Sequence, residues 1–370
     1  MKIGIDGVLL TLPFQSGTRH YAEELIFNLA KIDNKNEYAI FASKYVPIPK
    51  QNNFTLKKIP NIFPIFKRQL FLAKAVKDEY VDVFHYLAPY GSMLLNHPRI
   101  ITTVHDLRLD IIFPTYYQSI KYYTNRFYCE ITRKSTFTKT LAFITVSKSI
   151  NNELLSSAWL FNKNATIDVI PQAADIRFKK IPYSRMNGGK FFLAMGDFSP
   201  RKNIGRVIEA FVLLPKEMKQ SYRLKIVAST SSAKSYFSKI IKQTNSTGSI
   251  EVLEDVSLSK LVSLYNSASV FVYPSLYEGF GIPILEAMAC GCPVITSNYG
   301  AVKEVAGNAA YFVNPKSPTQ ISKAMEKIIT DKRLYRKLRA SGLKRVKQFS
   351  WEKTARKTLE IYNRVYSLEV

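Results

Sequence analysis

Residues 275–297 read SLYEGFGIPILEAMACGCPVITS. Glu278 and Glu286 flank a Gly279-Phe280-Gly281 turn, and an apolar helix pattern follows. The two glycines remove side chains where backbone N–H groups can point at an anion. Pro283 suits the first turn of the helix, whose N-terminus adds positive partial charge. Ala287 and Ala289 are small enough for that helix to lie close to a sheet. A carboxylate accepts two hydrogen bonds and so suits a vicinal diol. Two carboxylates on either side of an N–H cradle suit two sugars joined by phosphates, the shape of a nucleotide sugar. Taken alone, the loop reads equally well as an ordinary turn with two solvated glutamates.

Two further groups belong to this chemistry. Arg201-Lys202 follows a strand ending in Gly196, where fixed cations can meet a diphosphate; alone, the pair reads as a surface cation pair before a helix. His105 follows the strand ITTV, and Asp106 beside it suits a turn or helix cap.

The elements that must position these residues form two series. Residues 3–10 read as a buried strand, followed by a loop and a helix with apolar Tyr21, Leu25, Ile26 and Leu29. EYAIFAS, VDVFHYLAP, RIITTVHDL, LAFITVS and TIDVIPQ are strands, and KSINNELLSS is a helix capped by Ser147. The second series starts at KFFLAMGDF and alternates strands with helices as far as CPVITS; SWEKTARKTLEIYNRVYSL is a last amphipathic helix. Such alternation predicts parallel sheets covered on both faces. A polar seam at 178–190 separates the series, giving an α/β chain of two doubly wound, Rossmann-like domains, 1–180 and 186–350. Ligands of such sheets bind beyond the carboxyl ends of the strands, so the expected site is the cleft between two facing domains.

Composition narrows the class. The chain has 370 residues, 46% hydrophobic and 22% charged, without an apolar run of spanning length or a signal-peptide pattern at the start. Cys129, Cys290 and Cys292 fit a reducing cytosol better than a disulfide framework, and the four scattered histidines give no zinc pattern. The net charge of +25 points to polyanionic partners: nucleic acid, anionic lipid or phosphorylated small molecules.

The stretch Glu278 to Glu286 resembles the E-x7-E motif of the retaining glycosyltransferases of family 4, which have the GT-B fold. QSGTRHYAEEL resembles their amino-terminal glycine loop, TVHDL their His-Asp pair, ITVSKS and VIPQAAD the last elements of their first domain, GDFSPRKNIGRVIEAF their Arg-Lys segment, and FSWEKTARKTLEIY the final helix, which in that fold crosses back to the first domain (352–370 here). Ser16-Gly17 stands where the family has a double glycine, and Gln172-Ala173 where it has Asn-Gly. The resemblance implies that Glu286 binds the donor ribose and that Glu278 faces the transferred sugar. It gives Gly279, Phe280 and Gly281 backbone N–H contacts to sugar and phosphate, Arg201 and Lys202 the diphosphate, His105 a place near the sugar, and Gly17 one near the phosphate. It implies no cofactor, the nucleotide sugar being a substrate, and no metal, in keeping with a sequence that lacks Asp-x-Asp.

Within the family, KIGIDG, the HDL segment with Phe113-Pro114, and ITVS most resemble enzymes of bacterial surface polysaccharide assembly such as mannosyl- and rhamnosyltransferases. The implied donor is GDP-mannose, then dTDP-rhamnose. The implied acceptor is an undecaprenyl-diphosphate-linked glycan, with the enzyme peripheral on the inner face of the cytoplasmic membrane. Residues 62–71 and 116–139 mix aromatics with Lys67, Arg68, Lys121 and Arg126, as suits an anionic membrane surface. A sugar-nucleotide 2-epimerase on the same fold, and a basic nucleic-acid-binding protein, are the other readings; the recognised motifs of the latter are absent.

Overall fold

The alternating pattern forms two wholly parallel sheets in a computed structural model that describes residues 1–11, 17–60, 67–107, 120–157, 161–162, 164–182, 190–244 and 248–369. The chain divides into two units, Met1–Gln172 with Ser350–Val370, and Ala173–Phe349. The division falls ahead of the polar seam at 178–190, of which residues 183–189 lie outside the described residues.

The first unit holds β1 (Lys2–Asp6), β2 (Glu37–Ala42), β3 (Phe54–Lys58), β4 (Val83–Tyr86), β5 (Ile100–Val104), β6 (Thr140–Thr145) and β7 (Thr166–Val169), in the order β3-β2-β1-β4-β5-β6-β7. The strand expected at 3–10 stops at Asp6. There the Asp6 carboxylate accepts the Val8 N–H at 3.1 Å, and Gly7–Thr11 turns into a 3-10 helix. Strand β3 escapes the sequence pattern because it is an edge strand carrying lysines, with only Phe54 buried. The helices are α1 (Gly17–Ile32), α2 (Leu72–Asp78), α3 (Ile120–Lys139) and α4 (Lys148–Leu155), with the chain's last helix, α13 (Trp351–Tyr366). Tyr21, Leu25, Ile26 and Leu29 form the buried stripe of α1, and Ser147 caps α4 through the Ile150 N–H. Helix α13 packs along α1 and buries Trp351, Ile361, Tyr362 and Val365.

The second unit holds β8 (Phe191–Gly196), β9 (Arg223–Ala228), β10 (Ile250–Leu253), β11 (Val270–Tyr273), β12 (Val294–Ser297) and β13 (Tyr311–Val313), in the order β10-β9-β8-β11-β12-β13. Its helices are α5 (Ile204–Val212), α6 (Lys216–Ser221), α7 (Ser231–Gln243), α8 (Leu258–Ser267), α9 (Ile282–Ala289), α10 (Gly300–Ala306), α11 (Pro318–Thr330) and α12 (Lys332–Val346). Residues such as Phe192, Phe211, Leu224, Val272 and Ile295 form its core. On α9, Ala287 is buried and Ala289 half-buried. In both units the connections reverse direction beside the first strand, between β1 and β4 and between β8 and β11. A crevice opens at such a switch point beyond the strand ends.

Candidate active site in the second unit

The Arg201-Lys202 turn leaves β8, and the Ser275–Gly281 loop leaves β11, so the two flank the switch point of the second sheet. Gly196 lets the first loop fold back on its strand: a Cβ there would lie 2.8 Å from Ile204 Cγ1 and 2.9 Å from Lys202 Cβ. Asn203, in the left-handed region at φ 61°, then fastens the loop. Its buried amide donates to the carbonyls of Pro274 (2.9 Å) and Pro315 (2.7 Å), while the Leu276 N–H donates to the Arg201 carbonyl at 2.7 Å. Asparagine tolerates this backbone geometry better than most residues.

That fastening brings Glu278 against both cations. Its carboxylate accepts from Arg201 Nη1 (3.0 Å), Lys202 Nζ (2.8 Å), Tyr273 OH (2.7 Å) and Ser275 Oγ (2.9 Å). The side chain is only 8% exposed, which removes the solvated-turn reading for this residue. Burial raises the pKa of the carboxyl, but the charges of Lys202 and Arg201 and the hydrogen bonds outweigh it and hold the group at about 2. Lys202 Nζ also donates to Tyr273 OH at 2.7 Å. The resemblance implies Arg201 and Lys202 on a diphosphate and Glu278 on a sugar; in the structure both cations bind the Glu278 carboxylate.

Gly281 starts α9 at φ 109°, a conformation that favours glycine. Phe280 is buried edge-on against Phe349, with ring centroids 6.0 Å apart. One turn into the helix lies Glu286, whose carboxylate accepts from Tyr265 OH at 3.2 Å. Burial, helped by the nearby charge of Asp175 and opposed by the Tyr265 hydrogen bond, lifts its pKa to about 7. Cys290 and Cys292 are free and buried thiols, with pKa values pushed above the usual range by burial and neighbouring charge.

In the first unit, His105 stands at the end of β5 and is buried. Its Nε2–H donates to the Leu87 carbonyl at 3.0 Å, and its Nδ1 accepts from Gln172 Nε2 at 3.1 Å. Burial lowers its pKa to about 4, so the ring is neutral, with both nitrogens engaged inside the unit. Its face meets Tyr21 edge-on at 4.7 Å. Tyr21 OH continues to Thr103 Oγ1 (3.2 Å), His85 Nε2 (2.9 Å from Thr103) and Tyr362 OH (2.8 Å from His85 Nδ1), a buried polar chain that ends on α13. Gly17 is the exposed first residue of α1; Gln15 and Ser16 of the glycine-loop segment lie outside the described residues, as do Phe113 and Pro114.

Of the two basic aromatic segments, residues 62–66 and 116–119 lie outside the described residues, as do the side chains of Lys67, Arg68, Lys121 and Tyr122. Tyr123 is 56% and Phe127 64% exposed on α3. Tyr128 is half-buried, accepting from Gln69 Nε2 at 2.8 Å. No helix among the described residues is long and apolar enough to cross a membrane.

Tyr265, Tyr273, Ser275 and Asn203 have no role in the sequence pattern, and Gln172 appears there only as a departure from the family's Asn. Only Asn203 carries a local signal, as the residue between a cation pair and an apolar helix.

The family described as glycosyl transferases group 1 matches residues 175–345, nearly the whole second unit. The chain is 28% identical over 373 aligned residues to O-antigen chain mannosyltransferase B of Escherichia coli, covering 94% of this chain and 96% of that protein. Sucrose-phosphate synthase of Thermosynechococcus elongatus matches with a TM-score of 0.77 at 20% identity over 99% of both chains. Anabaena HepE in complex with UDP-glucose matches with a TM-score of 0.73 at 14% identity, covering 99% of each. The chain therefore belongs to the group 1 glycosyl transferases, glycosyltransferase family 4, with the GT-B fold and with O-antigen mannosyltransferases among its homologues.

Proposed function

We propose that this glycosyltransferase works with retention, moving mannose from GDP-mannose to a lipid-linked glycan in surface polysaccharide assembly, with dTDP-rhamnose as the second donor. The observation that carries the donor half of this reading is the cluster of Arg201, Lys202 and Glu278 at the switch point, beside the Gly279–Gly281 turn. Negative charge grows on the departing diphosphate as the glycosidic bond breaks. Fixed cations and N–H dipoles aimed there lower the barrier without reorganising. Arg201 and Lys202 exchange their bonds to Glu278 for bonds to the diphosphate, and the released carboxylate meets the positive charge developing at the anomeric carbon. Ionised Glu286 accepts from the ribose hydroxyls. His105 presents its ring beside the sugar, and Gly17 its backbone N–H beside the phosphate. No enzyme nucleophile stands out for a double displacement of the glycosidase type; attack comes from the face that the leaving group vacates, and the departing phosphate takes the acceptor's proton. The homology to O-antigen mannosyltransferases supports the choice of sugar and pathway.

The acceptor side rests on family likeness. A lipid-linked acceptor places the enzyme peripherally at an anionic membrane surface, with exposed Tyr123 and Phe127 of α3 supporting contact through the first unit. The test is turnover of a panel of GDP-, UDP-, dTDP- and ADP-sugars, each with and without EDTA. The reading expects preference for GDP-mannose and activity that survives chelation. Preference for a UDP-sugar would remove the donor assignment, and loss with EDTA restored by Mn²⁺ would assign to a metal the work given to Arg201 and Lys202.

A further inference from the structure

Residues 332–347, KRLYRKLRASGLKRVK, carry eight Lys and Arg and no Asp or Glu. The structure divides these cations into two sets. Arg339 and Arg345 are half-buried. Arg345 donates to the carbonyls of Val305 (2.9 Å) and Glu304 (2.7 Å) at the end of α10, and Arg339 lies over Gly291 after α9. Leu338 and Gly342 are buried with them, Gly342 against Met288 of α9. With that face of α12 fixed to the unit, Lys332, Arg333, Arg336, Lys337, Lys344 and Lys347 are all exposed. Among the described residues none of the six makes an ion pair. Asp331, the N-cap of the helix, accepts the Leu334 N–H at 2.9 Å, and Glu304 of α10 lies by half-buried Arg345.

Residues 333, 336, 337, 340, 344 and 347 recur at helical spacing, so they lie on one side of α12. At 1.5 Å per residue the stripe runs about 21 Å. Apart from Ala340 it consists of cations. The outward positions hold no aromatic ring on which a base could stack and no amide or hydroxyl that could read a base edge. A helical stripe of cations broken only by Ala340 matches a continuous anionic field and recognises nothing finer.

We propose that this outer face of α12 docks the donor-binding unit on an anionic phospholipid bilayer, a contact separate from that suggested for α3. The choice of a bilayer over another polyanion rests on the reading of a lipid-linked acceptor. The contact bears on the donor site through packing. Phe349, just beyond α12, lies under the Arg345 guanidinium at 4.9 Å and edge-on to Phe280 of the glycine turn. Docking α12 therefore fixes the orientation of the donor loop to the membrane.

Each Lys or Arg at such a surface multiplies partitioning by about fivefold at modest ionic strength, and the contact weakens as salt screens it. The experiment compares the full chain with a variant carrying Arg333→Gln, Arg336→Gln, Lys337→Gln and Lys344→Gln. Both are sedimented with phosphatidylglycerol-containing vesicles and with phosphatidylcholine vesicles. Melting temperature and donor hydrolysis are measured in parallel, and a DNA duplex is offered as the competing polyanion. The proposal expects salt-sensitive binding to the anionic vesicles alone, a loss of well over about tenfold in the variant, and unchanged melting and hydrolysis. Anionic-vesicle binding equal in variant and parent overturns it, as does a parent that binds the duplex at physiological salt in preference to the vesicles. Loss of vesicle binding with hydrolysis intact supports the dock whatever the acceptor. A parent that hydrolyses no sugar nucleotide but still binds vesicles through these residues would sink the donor reading and leave the dock standing.

Discussion

Glu278→Gln separates two jobs of one carboxylate. In the free protein it is the counter-charge of Arg201 and Lys202; in the proposed reaction it leaves them to face the sugar. Holding the carboxyl at about 2 rather than 4.5 is worth about 3 kcal/mol of preference for the ionised group in the folded state. The folded value is the depressed one. The contribution is therefore complete above about pH 4.5 and is lost as the pH falls towards about 2. Glutamine keeps the shape and one acceptor oxygen, but takes the Glu278 charge away from two partly buried cations. The variant should lose about 2–3 kcal/mol of stability at neutral pH, a fall of roughly 4–12 °C in melting temperature for a unit of this size. Adding a nucleoside diphosphate should then stabilise the variant more than the parent, because in the parent the phosphates must first displace the carboxylate. Turnover should nonetheless drop by at least about tenfold, since the charge at the anomeric carbon loses its partner. Thermal melts with and without GDP, beside steady-state turnover, read all three. A variant that melts and turns over like the parent refutes the electrostatic account. A variant that the diphosphate stabilises less than the parent removes Arg201 and Lys202 from the diphosphate.

Three further outcomes follow from the geometry. Glu286 is raised to about 7 by burial; its ionised form is therefore disfavoured by folding, and Glu286→Gln should gain stability relative to the parent at about pH 8 and lose that advantage at about pH 5. In the parent, the KM for the donor should rise as the pH falls through about 7, and the glutamine variant should bind weakly without that pH dependence; a parent KM flat across the range would show that ionised Glu286 does not hold the ribose. His105, with both nitrogens bonded and its pKa lowered to about 4, should show no protonation between about pH 5 and 8 by imidazole NMR, and Gln172→Leu should release Nδ1 and shift its signals; a titration near 6.5 in the parent contradicts the buried arrangement. Gly196→Ala should cost about 1–3 kcal/mol, because the new methyl meets Ile204 and Lys202 inside van der Waals contact, and should raise the KM for the donor; an unchanged melt and KM would mean that the 201–202 loop is free to move away.

The elements that the sequence made legible are those whose pattern is local. Strands buried on both faces appear as unbroken apolar runs, as in FVY of β11 or FFLAM of β8, and helix caps such as Ser147 announce themselves within three residues. Edge strand β3, with lysines at its end, had no such run. Helix α12 carries no such apolar stripe, burying only Leu338 and Gly342 of fifteen residues. Residue types just beyond strand ends are legible too, as with Glu278, Arg201, Lys202 and His105.

What the sequence leaves open is which of these groups face each other, and that decides their chemistry. Glu278 and Glu286 sit eight positions apart on one turn and helix, with the same side chain and the same ordinary pKa. Burial by itself raises both. They end about five pH units apart because the β8 loop lays two cations on Glu278 from 76 and 77 positions away, whereas Glu286 receives a single phenol from α8 and has Asp175 nearby. The tyrosines that complete the site, Tyr273 inside β11 and Tyr265 inside α8, read in sequence as core aromatics, and by burial they are. Only the switch-point topology turns their hydroxyls towards the two carboxylates. The site's electrostatics are therefore a property of which strand ends lie adjacent, and a change that reorders that adjacency, such as loss of the Asn203 bonds to Pro274 and Pro315, should alter the ionisation of Glu278 without touching it. Asn203→Ala should raise the pH at which acid destabilises the protein, towards the value of an unpaired carboxyl near about 4.5. An acid transition that stays where the parent has it would mean that the cations find Glu278 without the asparagine.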